Sequence, residues 1–343
     1  MTTPQQPQAP AHPPQHQPPA PPQGAVPHAQ APAPQQHAYA APGAAPAQVQ
    51  AQQAYAAAAP AQPQPQPQAQ GTGSVPGYVS PIPIQRTHLG HALASEWTKI
   101  KSVRSTMWTL GVMIALVIGI GFITVSAAAS SDNLDLDGNS TLWLGFFGVL
   151  LGTLCIITLG VLVISSEYGT GMIRTTLTAC PNRSRVLTAK AVVFFLVAFA
   201  VTLVCTTLVA LIADSMVGDM QGAVAATDEE WFKSTVGVSL YMAMLGLFAL
   251  GVGALIRHSA GAITSVIGVV LLPLVMALFM QGASLEDMRK FLIEYSVPIQ
   301  LAVMYGDSGA ESGPSGWEPL WIMTGMAAAA LVAAYAMLDK RDV

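Results

Sequence analysis

Ser165-Ser166-Glu167-Tyr168-Gly169-Thr170-Gly171-Met172-Ile173-Arg174, continuing through Cys180-Pro181-Asn182-Arg183-Ser184-Arg185 to Lys190, is the stretch that decides how the chain is read. It is the longest polar connection between two apolar runs on the side of the chain that carries most of the basic residues. From Gly169 and Gly171 onward the residues fit a short helix, with Met172, Ile173 and Leu177 on one side and Arg174 among threonines. Pro181 should end that helix, because proline lacks an N–H and its ring clashes with the preceding turn. A short amphipathic helix at the mouth of two membrane spans is a handle that a partner in the cytosol can push.

The apolar runs on either side set the solvent. Of the 343 residues 52% are apolar and only 9% charged, against about 25% charged in an ordinary soluble domain. Six runs approach the roughly 20 residues that a helix needs to cross about 30 Å of hydrocarbon. They cover approximately 107–128, 141–164, 191–213, 234–256, 260–280 and 317–338, and none has an acid or base in its middle. The expected fold class is an all-α membrane protein with six transmembrane helices. The lack of mid-span charge argues against a proton relay or a buried ion site. It leaves a pathway lined by Met, Phe, Thr and Gly, better suited to an amphipathic or lipid-like cargo than to a small ion.

Orientation follows from Lys and Arg. With the N-terminus in the cytosol, eleven of the fourteen fall inside: Arg86, Lys99, Lys101, Arg104, Arg174, Arg183, Arg185, Lys190, Arg257, Lys340 and Arg341. Only Lys233, Arg289 and Lys290 fall outside, which places both termini in the cytoplasm of a multi-pass plasma-membrane protein. Trp97 and Trp108 then sit at the inner boundary, and Trp143, Trp231, Trp317 and Trp321 at the outer one.

Before the spans lie two different segments. Residues 1–85 contain no Asp, Glu, Lys or Arg and hold 21 of the 26 prolines among repeated Gln and Ala. So little apolar surface cannot offset the entropy of folding, so a disordered cytosolic tail is expected, and it lacks the basic and apolar regions of a signal peptide. From Thr87, a plausible N-cap, Leu89, Leu93, Trp97, Ile100 and Val103 recur at helical spacing, with Glu96, Lys99, Lys101 and Arg104 on other faces. This reads as a helix lying in the membrane interface.

Smaller signals refine the frame. Gly148 and Gly152 form a G-x-x-x-G that would let another helix approach closely. Pro273 should kink the fifth span, and Thr202, Thr206 and Thr207 should bond their own backbone. Between the last two spans Ser284 should cap an amphipathic helix over Leu285–Tyr295, with Leu285, Met288, Leu292 and Tyr295 aligned; Pro298 separates it from a second apolar patch, Ile299–Tyr305. Cys155, Cys180 and Cys205 show no C-x-x-C spacing and read as reduced thiols. There is no G-x-x-x-x-G-K-[ST] phosphate loop, no H-E-x-x-H and no clustered metal ligands, so neither a metal nor a cofactor is expected, and nothing points to nucleic acid. Gly306-Asp307-Ser308-Gly309 fits the G-x-S-G of intramembrane proteases, but His258, the last histidine, falls at the opposite end of the spans, so the serine has no base.

Taken together, the interfacial helix, the six spans, the loop from Glu167 to Arg174 followed by Pro181-x-x-Ser184-Arg185, and the broken helical segment before the last span resemble the ABC-2 type, or type-2 ABC exporter, permeases. The closing Asp339-Lys340-Arg341-Asp342-Val343 looks like the tails of actinobacterial members. The resemblance covers about residues 87–343. It implies that Glu167, Tyr168, Gly169, Thr170, Gly171, Met172, Ile173 and Arg174 form a coupling helix that docks on a separate ATP-binding subunit, which alone holds ATP. It also implies that the helix around Leu93, Trp97 and Ile100 rests against the same subunit, that Ser284–Met304 forms external re-entrant helices, and that two permease chains work together. The competing expectation is a membrane anchor or sensor that transports nothing and presents its tail to a cytosolic partner.

Overall fold

In a computed structural model the chain is described over residues 88–131, 136, 138–179, 182–306 and 313–340. The expectations for the tail over 1–85, for Thr87, Cys180, Pro181 and the Ser308 motif lie outside these residues. Among the described residues every regular element is helical.

Helix α1, Leu89–Ser102, is followed after a single extended residue, Val103, by α2, Arg104–Ala129. A 3-10 turn, Thr141–Gly145, opens α3, Phe146–Gly169. The short α4, Met172–Ala179, leads to α5, Arg183–Val217. Helix α6, Asp228–Phe232, runs through a π-helical turn, Lys233–Gly237, into α7, Val238–Ile256. Then come α8, Ser259–Phe279, α9, Glu286–Glu294, α10, Val297–Met304, and α11, Glu318–Lys340.

Six of these stretches are long and apolar enough to span: Arg104–Ala129, Thr141–Gly169, Arg183–Val217, Asp228–Ile256, Ser259–Phe279 and Glu318–Leu338. Each apolar run of the sequence lies almost wholly inside one of them. The helices also run past the apolar windows, because an α-helix closes its own hydrogen bonds wherever it ends and need not stop where hydrocarbon does. The largest extension is in α5, whose 35 residues reach about 52 Å at 1.5 Å per residue. It starts at Arg183, capped by Asn182, whose side chain accepts from the Arg185 N–H at 3.2 Å. Lys190 therefore sits inside a helix rather than at the end of a loop.

Helix α2 packs on α3 and α5, while α7, in the fourth span, touches α3, α5, α8 and α11. Its Tyr241, Met242, Leu245 and Leu250 are fully buried. Helix α3 is held as closely against α2. A Cβ on Gly148 would come within 2.5 Å of the Val117 carbonyl oxygen, and one on Gly152 within 3.0 Å of the Val117 side chain. The G-x-x-x-G is thus a true contact between backbones. Thr202 and Thr206 donate to Ala198 and Thr202 carbonyls of their own helix at 2.8 and 3.0 Å.

Two expected caps are replaced. His88 occupies the N-cap of α1 and makes no side-chain cap bond. Ser284 lies in a 3-10 turn, Ala283–Leu285, entered through Gly282 at φ +122°, so α9 starts two residues later at Glu286 with Leu285 before it. The segment that follows divides sharply. Leu285, Met288, Phe291 and Tyr295 of the α9 region stay exposed, whereas Val297, Leu301, Ala302 and Met304 of α10 are buried against α3, α7 and α11. Gln300 satisfies its amide by donating to the Tyr295 carbonyl at 2.8 Å.

Candidate functional site

At one end of the bundle the start of α2, the end of α3, the start of α5 and the end of α11 come together, and α1 and α4 lie across them. This is the end where the basic residues concentrate, and it is called the basic end here; the other is the acidic end.

The link between α3 and α4 is set by backbone chemistry. The Thr170 N–H closes α3 onto Ser166 at 3.0 Å, and Gly171 then takes φ +71°, a left-handed conformation that glycine adopts without strain. The reversal lets α4 start at Met172. The threonines bond back to carbonyls one turn earlier on the same helix: Thr175 and Thr176 donate to Met172, and Thr178 to Arg174. Ile173 is 7% exposed and anchors α4, while Met172, Arg174, Thr175 and Thr178 face outward.

Four charged side chains meet beneath α4. Lys99 Nζ donates to Glu96 Oε1 and Glu167 Oε1, both at 2.8 Å. Lys190 Nζ donates to Glu96 Oε2 at 2.6 Å and Glu167 Oε1 at 2.9 Å. The result is a closed ring of two carboxylates and two ammonium groups drawn from α1, α3 and α5. Glu96, Glu167 and Lys190 are each under 5% exposed. An isolated charge at that depth would cost several kcal/mol or more, so the ring is tolerable because it is balanced and hydrogen-bonded. Burial alone would lower the pKa of Lys99, but its hydrogen bonds and attraction to Glu167 and Glu96 together hold it above its usual value. Lys99 also reaches the Thr176 hydroxyl of α4 at 3.4 Å.

The neighbouring Tyr168 faces another set of elements. The Arg257 guanidinium lies 5.0 Å from the centre of its ring, supplied by the left-handed residue that closes α7 at φ 58°. Arg183 donates to the Leu338 carbonyl at 3.0 Å, and Thr188 and Tyr335 share a hydroxyl contact at 2.8 Å. Glu167 and Tyr168 thus fasten the end of α3 on two sides. A groove of about 430 Å³ opens between α1 and α4, lined by His88, His91, Ser95, Lys99, Met172 and Thr175.

Of the residues singled out in the sequence, Tyr168, Gly169, Thr170, Gly171, Met172 and Arg174 are at or near the surface, whereas Glu167 and Ile173 point inward. Leu93, Trp97 and Ile100 share one helical face but differ in burial. Ile100 is buried beside Glu96 and Leu93 half-buried, while Trp97 is 46% exposed with Lys101 Nζ 4.6 Å from its ring. Sequence reading placed Glu96, Lys99 and Lys190 among solvated charges and missed the ring. A signal was present: apart from Asp339 and Asp342, Glu96 and Glu167 are the only acids in segments assigned to the basic end.

Six spanning helices, with a two-turn helix presented between the second and third and a helix lying before the first, define a multi-pass membrane protein of the permease class. The family model described as ABC-2 family transporter protein matches residues 28–343, and the chain belongs to that family. The match begins within the Pro/Gln/Ala-rich segment and so extends further toward the N-terminus than the resemblance in the spans. No curated protein gives a significant match. The chain is therefore a membrane component of an ABC transporter, and membership implies an ATP-binding partner subunit.

Proposed function

We propose that this protein is the permease subunit of an ATP-driven exporter, in which a separate ATP-binding subunit docks on α4 and a second permease chain completes the pathway. The observation that carries the reading is α4 itself. It stands at the basic end, anchored through Ile173, with Met172, Arg174, Thr175 and Thr178 free to touch another protein. In this reading the basic end faces the cytoplasm, as its Lys and Arg content requires. ATP binding draws two ATP-binding subunits together, α4 moves with them, and the spans exchange inward- and outward-facing states. Hydrolysis belongs to the partner. The α9–α10 segment at the acidic end gates the exit, and a pathway without mid-span charge suits an amphipathic or lipid-like cargo.

Because Glu167 is enclosed, the docking contact falls to the exposed residues, Arg174 foremost. Purification of the detergent-solubilised chain from its native membrane should bring down an ATP-binding protein. Replacing Gly169 to Arg174 by a flexible linker should release it. Arg174→Glu should weaken the association and uncouple ATP hydrolysis from transport, with stability changed by no more than about 0.5 kcal/mol, as for surface substitutions generally. Absence of any ATP-binding protein from the wild-type preparation would overturn the proposal. Loss of function on deleting residues 1–85 alone would favour an anchor or sensor instead.

A further inference from the structure

We infer that the Glu96–Lys99–Glu167–Lys190 ring is a clamp that makes α1, the α3–α4 turn and the base of α5 move as one body, with Lys99, Glu167 and Lys190 as positioning residues. The inference rests on the permease reading only for the load that the clamp carries; the clamp itself is argued from geometry.

The ring closes between elements that the chain brings together from afar. Its contacts join residues 68 apart, Lys99 to Glu167, and 94 apart, Glu96 to Lys190. Each carboxylate touches both ammonium groups, so no one of the four residues can leave without two contacts lengthening. Outside the ring α1 packs mainly along α5, with Ile100 buried, and touches α2 less. Only Val103 separates it from α2, and Trp97 and Leu89 on its outer side are exposed. The groove of about 430 Å³ separates much of its length from α4. A helix joined to α2 through one extended residue and packed on α5, with an open groove toward α4, needs a further fixing near its middle if it is to follow α3 and α4. The ring provides that fixing. Lys99 is its hub, touching Glu96 on α1, Glu167 at the end of α3 and Thr176 on α4. A push on α4 then reaches α1 through Lys99, and reaches α5 through Glu167 and Lys190. In a low-dielectric setting such contacts resist stretching far more than the same pairs would in water.

Two charge-balanced double variants separate a clamp from mere neutralisation. Glu96→Met with Lys190→Met leaves the Lys99–Glu167 pair, which still ties α1 to α3. Glu167→Met with Lys190→Met leaves Glu96–Lys99, a pair within α1, so that the long 3.4 Å contact of Lys99 with Thr176 is all that remains of the hub between α1 and the α3–α4 turn. Both remain neutral, and both delete one acid and one base. Spin labels at Ser95 and Thr175, across the groove, report the α1–α4 distance by pulsed electron resonance. The native cysteines are replaced, and the full chain is held in lipid nanodiscs without any partner. The first variant should keep the narrow wild-type distance distribution, and the second should broaden or split it. Equal distributions in the two variants, whether narrow or broad, would overturn the clamp. Should a double variant fail to reach the membrane, simultaneous reversal of all four charges rebuilds the ring with opposite polarity. That variant should match wild type, and a broad distribution from it would also overturn the clamp. In the assembled transporter, the second variant should raise ATP hydrolysed per transport event roughly tenfold over the first, within the usual range of coupling free energies. The distance measurement needs no ATP-binding subunit. A clean distance result without any such partner would therefore discard the permease reading and keep the clamp, whereas equal distances with an intact complex would do the reverse.

Discussion

The two ends of the bundle use charge in opposite ways. At the acidic end, Lys233 pairs with Glu229 and Lys290 with Glu286, each four residues away on its own helix and open to solvent on the carboxylate side. Such pairs support a single helix turn. At the basic end, Glu96, Lys99, Glu167 and Lys190 come from three helices, are largely buried and bond one another in a closed ring. A local pair is written in the sequence spacing and contributes little. A ring of distant residues has meaning only after folding, and its loss would be felt by every helix that it joins. The contrast is what the proposed clamp predicts if mechanical demand falls at the end that carries α4.

The sharpest way to break the comparison is Lys190→Met alone. It leaves two enclosed carboxylates facing a single ammonium group, and breaking a buried pair from one side typically costs about 3–5 kcal/mol. Denaturant titration of the solubilised protein should show a loss of that order, and addition of Glu167→Met should recover much of it by restoring balance. If Lys190→Met changed stability by under about 0.5 kcal/mol, the ring would be no more than a surface feature. Lys99, whose ammonium is held above its ordinary 10.5, contributes fully below that pH and loses its contribution only as pH rises through the raised value. Stability should therefore show no decline traceable to Lys99 between about pH 6 and 9.

Next in size is the close approach of α3 to α2, in the half of α3 that lies away from the basic end. Gly148→Leu places a side chain where Val117 backbone already stands, 2.5 Å from a Cβ. Overpacking of this kind costs about 1–3 kcal/mol, and here it should also separate α3 from α2. Gly111, where an added Cβ would meet nothing within 4 Å, is the matched control, and Gly111→Leu should show no such loss. Equal effects at the two positions would mean that the G-x-x-x-G is not a contact.

The spans, the two-turn helix and the glycine contact were legible in the sequence because each depends on local physics. Twenty apolar residues need a helix in lipid, a left-handed glycine permits a reversal, and glycines four apart share a face. The ring was not legible: Asn182, a favoured N-cap residue, marks where α5 begins, but nothing near Lys190 says that the lysine is carried inward to meet Glu96 and Glu167. Glu96 lies among Lys99, Lys101 and Arg104, where helical spacing suggests a solvated face. Trp97, read as lying at the membrane interface, is exposed; in a membrane protein the apolar side of such a helix can face lipid while the protein-facing stripe is polar. The interior of α1 is defined by Glu96 and Ile100.

The smallest expected effect tests the other half of the comparison. Lys290 and Glu286 lie 3.3 Å apart on α9 and are each about half exposed. An exposed pair four residues apart contributes about 0.3–0.5 kcal/mol and is screened by salt. Lys290→Met should accordingly shift the unfolding midpoint barely beyond error, and the shift should vanish at high ionic strength. The Lys190→Met loss should persist in salt, since ions do not enter the ring. A Lys290 effect as large and as salt-resistant as that of Lys190 would mean that α9 is held by buried charge as well, and the distinction between a mechanical end and a solvated end would fall.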